Sequence, residues 1–141
     1  MNAKVKSKSS AVLFVIPAVI FLDQISKIIA RNYFMVSFNA GLVLGLDTGK
    51  FGSFIIPLIT LCALLFILYK EKNNEHKFAL SLILGGGLSN LIDRVFVGCV
   101  RDFIRIGIFP SFNFADSTIT VGVFLIFYIL IFSKRNKPNE I

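Results

Sequence analysis

Charged residues divide the 141-residue chain into four uncharged stretches, Ser9–Leu22, Phe51–Tyr69, Phe78–Ile92 and Ser117–Ser133, all dominated by Leu, Ile, Val and Phe. A helix that crosses the hydrocarbon core of a bilayer takes about 20 mostly apolar residues, with about 17 tolerated. The second and fourth stretches reach that length. The first and third do so only by taking in polar residues, Asp23 and Gln24 after the first and Asp93 and Arg94 after the third. The pattern predicts four transmembrane helices, roughly 10–30, 52–70, 78–98 and 116–133. The basic start MNAKVKSKSS also fits a secretory signal peptide, but FLDQISK offers no small-residue cleavage site. The first segment is therefore read as a retained helix.

Composition agrees with lipid as the solvent: 55% of the residues are hydrophobic and 16% charged, against about 25% charged in soluble domains. The net charge of +7 does not point to nucleic acid, because the cations form small clusters with no basic stripe. Their placement orients the chain instead. With four spans, nine lysines and arginines (Lys4, Lys6, Lys8, Lys70, Lys72, Lys77, Lys134, Arg135 and Lys137) fall on one side. The other side receives Lys27, Arg31, Lys50, Arg94, Arg101 and Arg105. The positive-inside rule makes the first side cytoplasmic, with both termini there. All five aspartates, Asp23, Asp47, Asp93, Asp102 and Asp116, then lie at or near the external side.

No repeat, linker or second domain interrupts residues 1–141, which are read as one integral membrane domain. The segment YFMVSFNAGLVLG, Tyr33–Gly45, opens with β-branched and aromatic residues and then carries glycines, a pattern of short strands and bulges. The fold class expected is an all-α polytopic membrane protein with a small extracytoplasmic β-structure. Gly85, Gly86 and Gly87 in the third span let neighbouring helices approach closely. Cys62 and Cys99 form no metal spacing and no disulfide framework, and are expected to be small packing residues.

Two sets of polar residues share helix faces. Asp23 and Lys27 stand four apart with the acid N-terminal, the favourable order for an ion pair; a charge near a helix end also snorkels to the interface. Asn90, Asp93 and Arg94 form the second set, and ionisable groups inside a span mark either a structural pair or a substrate site. Asp102 and Asp116 differ, since neither has an opposite charge at helical spacing. They come from different elements, one after the third helix and one in the first turn of the fourth. Closing the intervening loop brings them together, and two adjacent carboxylates share a proton, giving an acid and a base in one site. The triplet Asp47-Thr48-Gly49 matches that around the catalytic Asp of soluble pepsin-like proteases, but it occurs once, in a membrane chain, and reads as an exposed turn.

Four blocks in order, DQISK (Asp23–Lys27), FNAGLVLG (Phe38–Gly45), SNLIDRVFVGCVRDFI (Ser89–Ile104) and FNFADSTITVG (Phe112–Gly122), resemble the motif blocks of the bacterial lipoprotein signal peptidases, or signal peptidase II. The resemblance implies a membrane aspartic endopeptidase with four helices and an external β-cradle. It implies removal of the signal peptide from diacylglyceryl-modified prolipoproteins, cut just before the lipidated Cys. Asp102 and Asp116 match the catalytic dyad; Asp23, Lys27, Asn39, Gly41, Asn90, Asp93, Arg94 and Asn113 match residues that bind substrate or brace the site. No metal or other cofactor is implied; the partners are lipid-modified precursors and membrane phospholipids, and a monomer in the bacterial cytoplasmic membrane is assumed. The chain departs from the family pattern at Leu42–Leu44, where smaller residues and an aromatic are usual, and the loop between the two aspartates is short. A competing reading, a small proton- or ion-conducting transporter, predicts charges spread through the depth of the bilayer. Here they gather at helix ends.

Overall fold

The computed structural model describes residues 3–33, 36–39 and 49–133. Four helices and two short strands follow in the order α1 (Ala3–Tyr33), β1 (Ser37–Asn39), α2 (Gly49–Lys70), α3 (Asn74–Phe96), β2 (Val100–Asp102) and α4 (Phe114–Ser133). Helices α3 and α4 start earlier than the uncharged runs because polar residues cap them. Asn73 precedes α3, and its side-chain oxygen accepts the backbone N–H of Glu75 at 2.8 Å, which satisfies an otherwise unpaired first-turn donor. At the other end α3 stops at Phe96, not at residue 98. Gly98 adopts φ +83°, a left-handed conformation suited to glycine, and turns the chain into β2.

Part of the expected strand region forms a strand. Tyr33 ends α1 instead of opening a strand, β1 covers Ser37–Asn39, and 40–45 lie outside the described residues. The two strands pair antiparallel, with Ser37 opposite Asp102 and Asn39 opposite Val100. Beyond β2 a bridge between Ile104 and Phe112 closes a small loop whose turn contains Gly107 at φ +54°.

Among the described residues, Gly52–Lys70, Asn74–Phe96 and Phe114–Phe132 are long and apolar enough to cross a membrane. The sequence pattern predicts a fourth such segment in α1, whose C-terminal half carries Asp23, Lys27 and Arg31. Large apolar side chains point outward, among them Ile59 and Phe66 on α2 and Phe124, Phe127 and Ile131 on α4. The most deeply buried include Asp23, Lys27, Ser89, Asp93 and Asn113. That inversion is stable where lipid, not water, surrounds the helices. Cys62 lies on an exposed face of α2, so it does not fill the interior as expected; Cys99 is half-buried, and both thiols are free.

Helix α3 is the axis of the bundle, and the glycine triplet shows why. Successive helical residues point about 100° apart, so three in a row address three neighbours. A Cβ on Gly85 would stand 2.8 Å from Val19 Cβ of α1, one on Gly86 2.5 Å from the Ala115 carbonyl oxygen of α4, and one on Gly87 2.7 Å from Leu61 Cδ2 of α2. At the sheet end the same helix contributes to a buried ion knot. Lys27 Nζ is 2.6 Å from Asp23 Oδ2 and 3.1 Å from Asp93 Oδ2, and it donates to Asn90 Oδ1 at 3.0 Å.

Gly86→Ala should destabilise the bundle by about 1–3 kcal/mol, because backbone of α4 blocks the added methyl. Gly87→Ala should cost less, since the end of the Leu61 side chain can swing away. Thermal unfolding in detergent compares the two, and equal midpoints would contradict the close α3–α4 contact.

Candidate active site

Asp116 is held by the start of its own helix. Asn113 is the residue before α4, and its side-chain Oδ1 accepts the Asp116 backbone N–H at 2.9 Å. In return the Asn113 backbone N–H donates to Asp116 Oδ2 at 3.1 Å. This is a reciprocal capping box, with Asp in the place usually taken by Glu. It fixes the carboxylate at a helix N-terminus, where the dipole favours negative charge. The next donor of that first turn is taken from a different helix: the Ala115 N–H donates to Asp23 Oδ1 at 2.8 Å. Asp23 therefore ties α1 to the base of α4 while its other oxygen holds Lys27 and accepts from Ser89 Oγ at 2.6 Å.

Asp102 ends β2 and is 2% exposed. Its Oδ1 accepts from Asn113 Nδ2 at 2.8 Å, and its Oδ2 faces Asn39 Nδ2 at 3.4 Å. Two amides connect the aspartates. Asn113 Nδ2 donates also to Asn90 Oδ1 at 3.0 Å, and Asn90 Nδ2 donates to Asp116 Oδ1 at 2.8 Å. Burial, and then the neighbouring Asp116 charge, push the Asp102 carboxyl up to about 6. Four carboxylates, Asp23, Asp93, Asp102 and Asp116, stand against three cations, Lys27, Arg94 and Arg101, in this cluster. One proton on Asp102 makes the cluster neutral.

Both aspartates open onto a cleft of about 700 Å³, with Asn39, Asn90 and Arg94 beside them. Its wall continues along Pro57, Leu61 and Leu64 of α2, Ile83 of α3 and Ile119 of α4, so a polar head leads into an apolar groove. A second cavity, of about 470 Å³, lies between Phe78 and Glu75 of α3 and Tyr128 of α4, at the far end from this chemistry. Among the described residues, no three His, Cys, Asp or Glu side chains come together as a metal site.

Of the residues singled out in the sequence, Asp23, Lys27, Asn39, Asn90, Asp93, Arg94, Asp102, Asn113 and Asp116 converge on this end of the bundle. Gly41, Leu42–Leu44 and Asp47 lie outside the described residues. Asp93 turns away from the cleft and binds structure: its oxygens accept from Lys27, from Gln24 Nε2 at 3.0 Å, and from Arg101. Arg101, Gln24 and Ser89 were not legible as site residues. Arg101 stands eight positions after Asp93, across a turn made by Gly98, and no helical spacing announces such a pair.

A family model described as signal peptidase (SPase) II matches residues 15–132. A lipoprotein signal peptidase of Caldicellulosiruptor bescii is 35% identical over 83% of this chain and 88% of its own length. One of Staphylococcus carnosus is 35% identical over 89% of this chain and 93% of its own. A solved structure described as a bacterial membrane enzyme superposes with a TM-score of 0.82 at 32% identity, covering 94% of both chains. The chain thus belongs to the signal peptidase II family of bacterial membrane proteases.

Proposed function

We propose that the protein is an aspartic endopeptidase that removes signal peptides from lipid-modified prolipoproteins, with Asp102 and Asp116 as its catalytic pair. The observation that carries this reading is the amide bridge: Asn113 and Asn90 connect the two carboxylates at the head of an apolar cleft. Asp116, fixed at its helix terminus by the capping box, takes a proton from water as the water oxygen attacks the scissile carbonyl carbon. Protonated Asp102 donates to the developing oxyanion. The proton on Asp116 then passes to the leaving amine as the C–N bond breaks, one hydroxyl of the tetrahedral intermediate gives its proton back to Asp102 as the carbonyl re-forms, and the site returns to its starting charge.

The scissile bond is the one before a diacylglyceryl-modified Cys. A signal helix fits the apolar groove below the aspartates, and acyl chains add about 0.8 kcal/mol per buried methylene. In this reading the whole chain is one domain and α1 also spans, giving four crossings of the cytoplasmic membrane. Both termini lie in the cytoplasm and the site near the external surface, as the nine-to-six division of lysines and arginines favours. A monomer is assumed, since the hydrogen bonds that join Asp102 and Asp116 run within one chain. The transporter reading has less support, because the buried charges collect at the sheet end instead of lining a path through the bilayer.

Asp102→Asn and Asp116→Asn should each lower kcat by orders of magnitude in a gel assay with lipidated precursor; near-normal turnover in either refutes the pair. Stability should move the other way for Asp102→Asn. The folded carboxyl at about 6 lies above its unfolded value of about 3.9, so ionising it costs stability as pH rises between them, up to about 3 kcal/mol. The variant should therefore melt above the wild type at pH 8, with the gap closing near pH 4.

Activity should follow the same group. The kcat/KM of the wild type should fall as pH rises through about 6, where free Asp102 loses its proton. The limb in kcat should lie higher, because bound substrate excludes water from the carboxyl. A profile flat from pH 5 to 8 would remove the need for a protonated Asp102. Finally, lipidated precursor should be cleaved far faster than the same precursor with a bare Cys. Equal rates in one detergent would show that the lipid is not recognised.

A further inference from the structure

The two aspartates of the proposed pair rest on supports of very different stiffness. Asp116 sits in the first turn of a 20-residue helix and is locked by the capping box. Asp102 sits on a three-residue strand paired only with another three-residue strand among the described residues. A two-stranded ribbon of that length is marginal by itself. The Ile104–Phe112 bridge closes the loop after β2 but does not tie the strand to the helices, so a tie to the bundle is needed to keep the Asp102 carboxylate opposite Asn113.

The side chain next to Asp102 provides that tie. Successive residues of a strand point to opposite faces, so Val100 and Asp102 face the interior while Arg101 faces the other way. On that side the guanidinium meets Asp93 of α3 through two parallel bonds, Nη2 to Oδ1 at 2.6 Å and Nε to Oδ2 at 3.3 Å. The Arg101 backbone N–H adds a third bond to Asp93 Oδ2 at 3.0 Å. Nη2 also donates to Gln24 Oε1 of α1 at 2.7 Å, and Gln24 Nε2 donates back to Asp93 Oδ1. A planar fork on a carboxylate fixes orientation as well as distance, which a lysine ammonium does not. The Asp93 carboxylate is itself fully buried and immobilised by Lys27, so the clamp ends on a rigid point.

We propose that Arg101 is a positioning residue that locks β2 to α1 and α3, and thereby sets the Asp102 carboxylate in register with Asp116. This deepens, and rests on, the reading of those two residues as the catalytic pair. Its loss leaves Lys27 on Asp93 and the helices in place but frees the strand. Misplacement by about 1 Å can cost about 100-fold in rate. The effect belongs in kcat, because the groove that binds the apolar part of the substrate contains no part of the clamp.

The test measures kcat, KM and thermal midpoint for the full chain in detergent with lipidated precursor, for wild type, Arg101→Met, Arg101→Lys and Asp102→Asn. Arg101→Met should lose about 10- to 100-fold in kcat with KM changed less than about threefold. Arg101→Lys, which keeps the charge beside Asp93 and thus the folded bundle, should recover only a small part of that loss. Should Arg101→Met fail to fold, the lysine variant decides alone by the same split. Wild-type kcat in Arg101→Lys overturns the fork, and wild-type kcat in Arg101→Met, or a loss confined to KM, overturns the positioning role. An active Asp102→Asn instead strikes the aspartic-pair reading and removes this proposal with it. A dead Asp102→Asn beside an unimpaired Arg101→Met overturns this proposal only.

Discussion

Everything at the sheet end of the bundle depends on one buried ammonium. Lys27 has no exposed surface, and it is the common partner of Asp23 in its own helix and of Asp93 and Asn90 in α3. A buried cation of this kind is costly unless opposite charge and hydrogen bonds surround it, and the carboxylates around it are equally costly without it. The three groups therefore stand or fall together. Asp23 extends the knot to the N-terminus of α4, and Asp93 extends it to β2, so the two elements that carry Asp116 and Asp102 are referred to the same point.

Charge parity constrains the proton in the cluster. Three cations match three carboxylates, and a fourth ionised carboxylate has no partner within it. Asp102 is the member that burial and the Asp116 charge leave protonated up to about pH 6. The same imbalance makes the folded state less stable when Asp102 is ionised.

The bilayer explains the rest of the architecture. Outward-facing Ile, Leu and Phe need no protein partner in lipid, so α2 and α4 leave most of their surface bare. Cohesion comes from close approach at the glycines of α3 and from polar bonds between helices. An apolar groove running away from the aspartates is then an extension of the lipid environment. A polar head on such a groove suits a substrate that is itself anchored in the membrane.

The sequence by itself determined the helices, because apolar length between charges is a local property that lipid reads directly. Their ends were legible less well: Asn73 and Asn113 cap α3 and α4 ahead of the apolar runs, and Gly98 ends α3 early. Asp102 and Asp116 stood out as carboxylates without local partners, and Asp23 with Lys27 as a helical pair. Only the tertiary structure decided what those pairs hold. Asp23 reaches Ala115 across 92 positions, and Gln24 reaches Arg101 across 77. Asp93, read as a structural pairing or substrate residue and by resemblance as one that binds substrate or braces the site, bonds to Lys27 of α1 and to Arg101 of β2. Contacts at such separations leave no period in the chain, since which residue a carboxylate meets is set by how the helices pack, not by its neighbours in sequence.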